Sequence, residues 1–243
     1  MCVDFWALNL KTVKDSFPLP RIEETLDILV GSSSFSTLDL QSAYNQVDVA
    51  EHDREKTAFT MPFGLYEYIW MPFGLCNSRA TFQRLMENCL GDLNLSWCVV
   101  YLDDIIVFGK DPEQHLSRLS AVFEKLRKAK LKLKPSKCNF FKQSITYLGH
   151  IVSKDGIATD PSKVEDVKKW PKPKTLNDVR SFLGFVGYYR KFIKNFSSIA
   201  KPLNDLLQGV DNTKKSSKQK LVKWELEQQL AFDELKEALC SSP

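Results

Sequence analysis

Three aspartates carry the clearest chemical signal in this sequence. Asp103 and Asp104 stand side by side between Val99-Val100-Tyr101-Leu102 and Ile105-Ile106-Val107-Phe108, a run whose apolar, β-branched character predicts a buried hairpin. A carboxylate costs several kcal/mol to bury unless it is paired, protonated or bound to a cation. Alone, the pair has two readings: a tight turn exposed at a hairpin tip, where Asp is well tolerated, or a cation site; salt bridges to lysines are a further alternative. Asp39 favours the cation site. It ends another β-prone run, SFSTLDL, and is followed by Gln41-Ser42-Ala43-Tyr44. If the two strands are neighbours, three carboxylates converge. Such hard oxygen ligands suit Mg²⁺, which binds few carboxylates and keeps substrate phosphates as further ligands. Two such ions about 3.5–4 Å apart activate an attacking hydroxyl and stabilise a leaving phosphate oxygen, which is the chemistry of nucleotidyl transfer.

The elements that must position these residues follow from pattern. Phe17-Pro18-Leu19-Pro20 is extended. Arg21–Val30 reads as a short amphipathic helix stopped by Gly31. Phe35–Leu40 alternates as a strand. Lys56–Met61 and Tyr66–Trp70 form a hairpin about Pro62-Phe63-Gly64-Leu65. Asn77–Leu90 is a helix capped by Asn77 or Ser78, and Pro112–Lys130 is a long helix with a basic outer face. Ile145–Val152 is a strand pair around Gly149. Asp160-Pro161 opens a helix to Trp170, Thr175–Phe192 is a second with Asp178 at the capping-box position, and Ser197–Leu207 is a third. Residues 209–220 are polar and Lys-rich, and Trp224–Leu239 is a last helix. This predicts an α+β domain over residues 1–155, a helical domain over 156–207, a Lys-rich linker over 208–223 and a further segment over 224–243.

Composition bounds the classes available. The chain has 243 residues, 43% hydrophobic and 26% charged, which excludes wholesale disorder. No window approaches about 18 consecutive apolar residues, so no membrane span is expected, and the first residues lack the pattern of a secretory signal. Six scattered cysteines without a C-x-x-C pair read as free thiols rather than a zinc site. The net charge of +4 conceals an asymmetry: residues 1–109 hold 7 Lys+Arg against 15 Asp+Glu, and residues 110–243 hold 27 against 15. Carboxylates could hold cations in one half while lysines meet a polyanion in the other, or the Lys-rich helices are simply solvated faces.

An ordered series of motifs then makes the sequence resemble the reverse transcriptases of Ty3/Gypsy-type long-terminal-repeat retrotransposons, which are similar to the retroviral enzyme. The series runs Val3-Asp4-Phe5-x-x-Leu8-Asn9, Phe17-Pro18-Leu19-Pro20, Phe35-Ser36-x-Leu38-Asp39-Leu40-x-Ser42-x-Tyr44, Thr57-Ala58-Phe59, Met71-Pro72-Phe73-Gly74-Leu75, Tyr101-Leu102-Asp103-Asp104, Tyr147-Leu148-Gly149-His150 and Arg180-Ser181-Phe182-Leu183-Gly184-x-x-x-Tyr188-Tyr189-Arg190. The resemblance implies a right-hand polymerase: a palm with a small antiparallel sheet, partial fingers and a helical thumb. It implies that Asp39, Asp103 and Asp104 are the catalytic residues and ligands of two Mg²⁺ ions, with Mn²⁺ as a substitute. Leu40 would lend a backbone carbonyl to the metal, Tyr44 would be the steric gate under the sugar, and Phe73 and Gly74 would pack against the incoming nucleotide. Tyr147, Leu148, Gly149 and His150 would form the primer grip. Lys137 lies near the family's basic position for the leaving pyrophosphate, although a solvated lysine explains it equally. The implied partners are an RNA or DNA template with its primer, deoxynucleoside triphosphates, and covalently linked RNase H and integrase domains of a Pol polyprotein. The implied location is intracellular, cytoplasmic or nuclear, without a membrane.

The sequence departs from the family at Trp6, where an Arg is usual. It also starts two residues before Val3, so the basic finger residues expected upstream to hold the triphosphate are absent, and residues 224–243 read as the start of a connection to a missing RNase H domain. The expectation is therefore a fragment of a polyprotein. One alternative is a degenerate remnant that binds nucleic acid without catalysis. Another is a basic scaffold protein whose aspartates are turn residues, which the intact aspartate set disfavours.

Overall fold

The computed structural model describes residues 3–208 and 220–241. Most of the expected Lys-rich linker therefore lies outside the described residues. By contact the chain divides into two compact units, Met1–Ile145 with Val152–Ile157, and Thr146–Ile151 with Ala158–Pro243.

The first unit is built on a four-stranded sheet of order β4-β5-β1-β6, formed by β1 (Ser34–Asp39), β4 (Cys98–Tyr101), β5 (Asp104–Gly109) and β6 (Asn139–Lys142). β1 lies antiparallel to β5 with Leu38 opposite Ile105 and Asp39 opposite Asp104. β5 in turn pairs with β4, Val100 opposite Ile105. One face of the sheet, with Leu38, Val100, Ile105 and Val107, packs into a core with Phe82, Met86 and Leu90 of α3 (Ser78–Leu90) and Leu119, Val122 and Leu126 of α4 (Pro112–Lys128). Because side chains alternate along a strand, Asp39 and Asp104 share the face opposite that core. α4 starts where Asp111 accepts a hydrogen bond from the Gln114 N–H at 2.8 Å, with Pro112 in its first turn. The remaining elements are α1 (Trp6–Lys11), α2 (Ile22–Leu29) and the hairpin of β2 (Phe59–Met61) and β3 (Gly64–Tyr66).

The second unit packs α5 (Pro161–Lys168), α6 (Leu176–Tyr188), α7 (Phe196–Asp205) and α8 (Leu226–Ser241) around Val167, Val179, Phe182, Val186, Leu203, Phe232, Leu235 and Leu239. α6 carries the capping box foreseen in the sequence: Thr175 accepts from the Asp178 N–H, and Asp178 accepts from the Thr175 N–H. α8, which falls within residues 224–243, contributes Phe232, Leu235 and Leu239 to this core. The chain changes unit within a three-stranded sheet of order β7-β8-β9 (Ser144–Tyr147, His150–Ser153, Gly156–Thr159).

Several local expectations are corrected. Lys56–Met61 is a strand only from Phe59, because the polar run Glu51–Thr57 winds as a 3-10 helix whose Asp53 and Lys56 pair three residues apart. Its partner strand begins at Gly64, not Tyr66, so the turn is shorter than expected. Asn77 occupies the α3 cap position without capping it; its side chain binds the Val13 carbonyl and the Asp15 N–H instead. α1, β6 and β9 were not foreseen: α1 and β6 bury none of their residues, and β9 buries only Thr159, so apolar periodicity does not announce them.

His115 of α4 lies directly over Gly109 at the end of β5. A Cβ at Gly109 would sit 2.8 Å from the His115 Cβ and 2.9 Å from its Cα, and helix backbone cannot yield as a flexible side-chain tip can. Gly109→Ala is expected to lower stability by about 1–3 kcal/mol, as overpacking does, measured by urea unfolding.

Candidate active site

The β1–β5 register places Asp39 directly opposite Asp104, and Asp103 lies in the two-residue turn joining β4 to β5. The register thus brings Asp39 and Asp104 together, and Asp103 is adjacent in the chain. The electrostatic signature falls on Asp104, whose carboxyl is pushed above the ordinary carboxylate range. Desolvation by the surrounding protein is the largest cause, followed by the charges of Asp103 and Asp39, with Lys137 opposing them. Asp104 is itself exposed to solvent. The Lys137 ammonium lies 3.2 Å from Asp39 Oδ2. Among the described residues no group of three or more His, Cys, Asp or Glu side chains is already arranged to hold a metal ion. The donor set is nonetheless of the right chemistry: hard, anionic oxygens that repel one another and that a divalent cation would neutralise. Leu40, the next residue, is a core side chain whose backbone bridges to Leu133.

The turn that carries Asp103 is strained. Leu102 adopts φ +55°, a left-handed conformation that costs an L-residue roughly 1–2 kcal/mol. Gln83 holds it there. This fully buried residue of α3 accepts the Leu102 N–H on Oε1 at 2.8 Å, while its Nε2 donates to Glu87 Oε1 at 2.9 Å and to the Val100 carbonyl at 3.4 Å. Sequence reasoning missed Gln83. The available signal was a single amide beside Phe82 in the apolar stripe of α3, which looks like an ordinary polar interruption.

Tyr44 stands next to the carboxylates. Its ring meets those of Phe73 and Phe82 edge-on at 5.1 and 5.5 Å. Its hydroxyl pKa is raised, first by burial and then by the charge of Asp103, against the opposing influence of Arg79. Phe73 is 62% exposed, so an aromatic face stands open to solvent beside the aspartates. Gly74 follows at φ +98°. Asn9 fixes this loop by donating to the Gly74 carbonyl at 2.7 Å and accepting from the Cys76 N–H at 2.8 Å. The structure thus gives Asn9 and Arg79 positions that the sequence did not assign.

The remaining candidates, Tyr147, Leu148, Gly149 and His150, belong to the second unit. Leu148 and Gly149 form the turn between β7 and β8, at φ +47° and +76°, a geometry that favours a tight hairpin. Tyr188 Oη donates to the Leu148 carbonyl at 2.6 Å, and Tyr189 Oη donates to the Gly149 carbonyl at 3.1 Å. His150, 1% exposed, stacks on Tyr188 at 5.3 Å with Tyr189 and Phe192 on its other sides. Burial, with a smaller effect from Lys191, pushes its pKa down to about 4. The run Tyr188–Phe192 is thus partly structural: Tyr189 is core and Phe192 packs against it.

The family model described as reverse transcriptase (RNA-dependent DNA polymerase) matches residues 1–152. The Pol polyprotein of transposon gypsy from Drosophila melanogaster is 42% identical over 99% of this chain and 24% of its own length. The Tf2-3 transposon polyprotein of Schizosaccharomyces pombe is 35% identical over 100% of this chain and 18% of its own length. The chain therefore spans about a quarter or less of these relatives. Among solved structures, a foamy viral protease-reverse transcriptase in complex with double-stranded DNA is similar with a TM-score of 0.85 and 25% identity, over 100% of this chain and 49% of that one. The foamy viral enzyme in complex with an RNA/DNA hybrid gives a TM-score of 0.81 and 25% identity, over 98% of this chain and 31% of that one.

Two outcomes follow from the geometry. Gln83→Leu leaves the Leu102 N–H without its partner and is expected to cost about 1–3 kcal/mol in urea unfolding. His150 is buried neutral, with a folded-state pKa of about 4 against an ordinary 6.5. Between those values the unfolded chain binds more protons, so the stability contributed by neutral His150 is complete above about pH 6.5 and is lost as pH falls towards about 4. His150→Phe should flatten the urea midpoint across that window.

Proposed function

This chain belongs to the reverse transcriptase family, beside Pol polyproteins of the Ty3/Gypsy type, and from that premise we propose that it extends a primer with deoxynucleotides on an RNA or DNA template. The observation that carries the proposal is the facing of Asp39 and Asp104 across β1 and β5 with Asp103 in the adjoining turn, inside the matched segment. Reverse transcriptases generally use divalent metal ions. Here Asp39, Asp103 and Asp104, with the Leu40 carbonyl, would hold Mg²⁺ or Mn²⁺. A pair of such ions supplies activation of the primer hydroxyl and stabilisation of the leaving phosphate oxygen.

The chain's own residues account for the other requirements. Tyr44, in edge-on contact with Phe73 and Phe82, would press on the sugar and disfavour a 2′-hydroxyl. Phe73 offers an exposed face for the nucleotide, and Gly74, tied down by Asn9, keeps the loop open to it. The hairpin Tyr147–His150, held by Tyr188 and Tyr189, would support the primer 3′ end. In this reading residues 1–155 correspond to partial fingers and palm and residues 156–207 to the thumb. In a complete polyprotein they would be joined to RNase H and integrase domains. No helix among the described residues is long and apolar enough to cross a membrane; the proposed activity would operate on nucleic acid inside the cell.

Primer extension on an RNA template, beside filter binding of the primer–template at two salt concentrations, tests the proposal. Wild-type chain should bind with strong salt dependence and extend the primer weakly. Asp103→Asn should lower extension by more than about 100-fold, beyond the usual loss on removing a partner of a metal ligand, with duplex binding little changed. Salt-sensitive binding without extension by the wild type would favour the non-catalytic alternative; extension that survives Asp103→Asn would overturn the aspartate assignment.

A further inference from the structure

Before any metal arrives, Asp39 already holds a cation supplied by the chain itself. Lys137 comes from 98 residues further along to place its Nζ 3.2 Å from Asp39 Oδ2. The approach is constructed. The Lys134 N–H donates to the Asp39 carbonyl at 2.8 Å, and the Gln41 N–H donates to the Lys132 carbonyl at 2.9 Å. Gln46 locks the same crossing, accepting the Lys132 N–H at 2.6 Å and donating to the Gln41 carbonyl at 2.7 Å. A single 3-10 turn, Pro135–Lys137, then swings the chain round. On its far side Asn139 Nδ2 donates to Thr37 Oγ1 at 3.2 Å, two residues before Asp39. The backbone on both sides of Lys137 is therefore pinned to the strand that carries the carboxylate.

The two partners differ in freedom. The Asp39 side chain is 25% exposed, on a paired strand; the Lys137 side chain is 57% exposed, on a flexible stem. A pair this open to water is weak, so the lysine can leave without the strand moving. It also contacts an atom that a divalent ion bound by Asp39 would need. Asp104 faces Asp39 across the strands with Asp103 next to it in the chain, and a divalent ion answers their charge better than one ammonium can.

Resting on the reading of the three aspartates as a divalent-ion site, we propose that Lys137 is a resident counter-ion: it neutralises Asp39 in the metal-free protein, competes with the metal for that carboxylate, and is released when the ion binds. This differs from a part in protonating a leaving group, because it operates with neither nucleotide nor nucleic acid present.

The test measures Mn²⁺ binding to the full 243-residue chain without nucleotide or nucleic acid, by the electron paramagnetic resonance of free Mn²⁺. Lys137→Gln should tighten Asp39-dependent binding about two- to fivefold, the scale of an exposed ion pair. Lys137→Arg, which keeps the charge, should stay close to wild type. So should Lys134→Gln, which removes a nearby charge that is not on Asp39 and keeps the backbone bond. In parallel, acylation of wild-type lysines read by mass spectrometry should show Lys137 becoming more reactive as Mn²⁺ is added. Unchanged or weaker binding in Lys137→Gln, equal tightening in Lys134→Gln, or no gain in Lys137 reactivity overturns the proposal. Asp39-dependent binding that ignores Lys137→Gln overturns it alone, whereas wild-type binding that Asp39→Asn leaves unchanged overturns the divalent-ion reading as well.

Discussion

Two aspartates facing each other across antiparallel strands are the constraint around which the first unit is arranged. Like charges directly opposite on one face of a sheet are destabilising, on the scale of about 0.2–1 kcal/mol for cross-strand pairs, and Asp103 adds a third charge beside Asp104. The strands themselves outweigh that cost. Val99, Val100, Ile105, Ile106 and Val107 are all at most 1% exposed, and each contributes about 1.5–3 kcal/mol on burial. The register that forces Asp39 against Asp104 is thus the one that seats Leu38, Ile105 and Val107 in the core. A slip by one residue would separate the carboxylates but turn Leu38, Ile105 and Val107 away from the core they share with α3 and α4. Apolar burial on one face fixes the repulsion on the other.

That coupling explains what was legible in the sequence. Carboxylates amid β-branched residues are a conflict visible in one dimension, so Asp39, Asp103 and Asp104 could be singled out, and the apolar rhythm of α3, α4, α6 and α7 located those helices to within a few residues. The partners of residues that act through hydrogen bonds across long separations were not legible. Gln83 reaches Leu102, Asn9 reaches Gly74 and Cys76, and Lys137 reaches Asp39. A lone amide or ammonium carries no sequence pattern that reveals its partner. β6 was invisible for a related reason: all four of its residues are exposed, and its place in the sheet comes from backbone pairing with β1.

Of the seven non-glycine residues with left-handed backbone among the described residues, three lie at or beside candidate residues. Ser42, two residues before Tyr44, has φ +49°; Leu102, beside Asp103, has φ +55°; Leu148, in the hairpin, has φ +47°. None is glycine, so each pays for a left-handed conformation that the surroundings must impose. The means differ. At Leu102 a buried amide from α3 takes the strained residue's N–H. At Leu148 a tyrosine hydroxyl takes its carbonyl, and a second tyrosine takes that of Gly149. Each of these two turns is anchored through main-chain atoms, which leaves the side chains of Asp103 and Leu148 uncommitted by the anchor.

The charge asymmetry then has a physical reason. A cluster of carboxylates sufficient to hold divalent cations also repels a polyanion, and residues 1–109 carry 15 acidic against 7 basic side chains. On the proposed function a chain that does both would draw little phosphate affinity from the segment that carries these carboxylates. It can obtain it elsewhere, and residues 110–243 hold 27 Lys+Arg against 15 Asp+Glu. Phosphate contacts of this kind act without reading sequence and need only charge density, so they tolerate being carried on exposed lysines of helices whose apolar faces are spent on their own core. The carboxylates have no such latitude: their positions must be fixed by a sheet register. On that function precision is required of the carboxylates and abundance of the basic residues, and the strained, hydrogen-bonded turn at Leu102 is the structure that answers the first requirement.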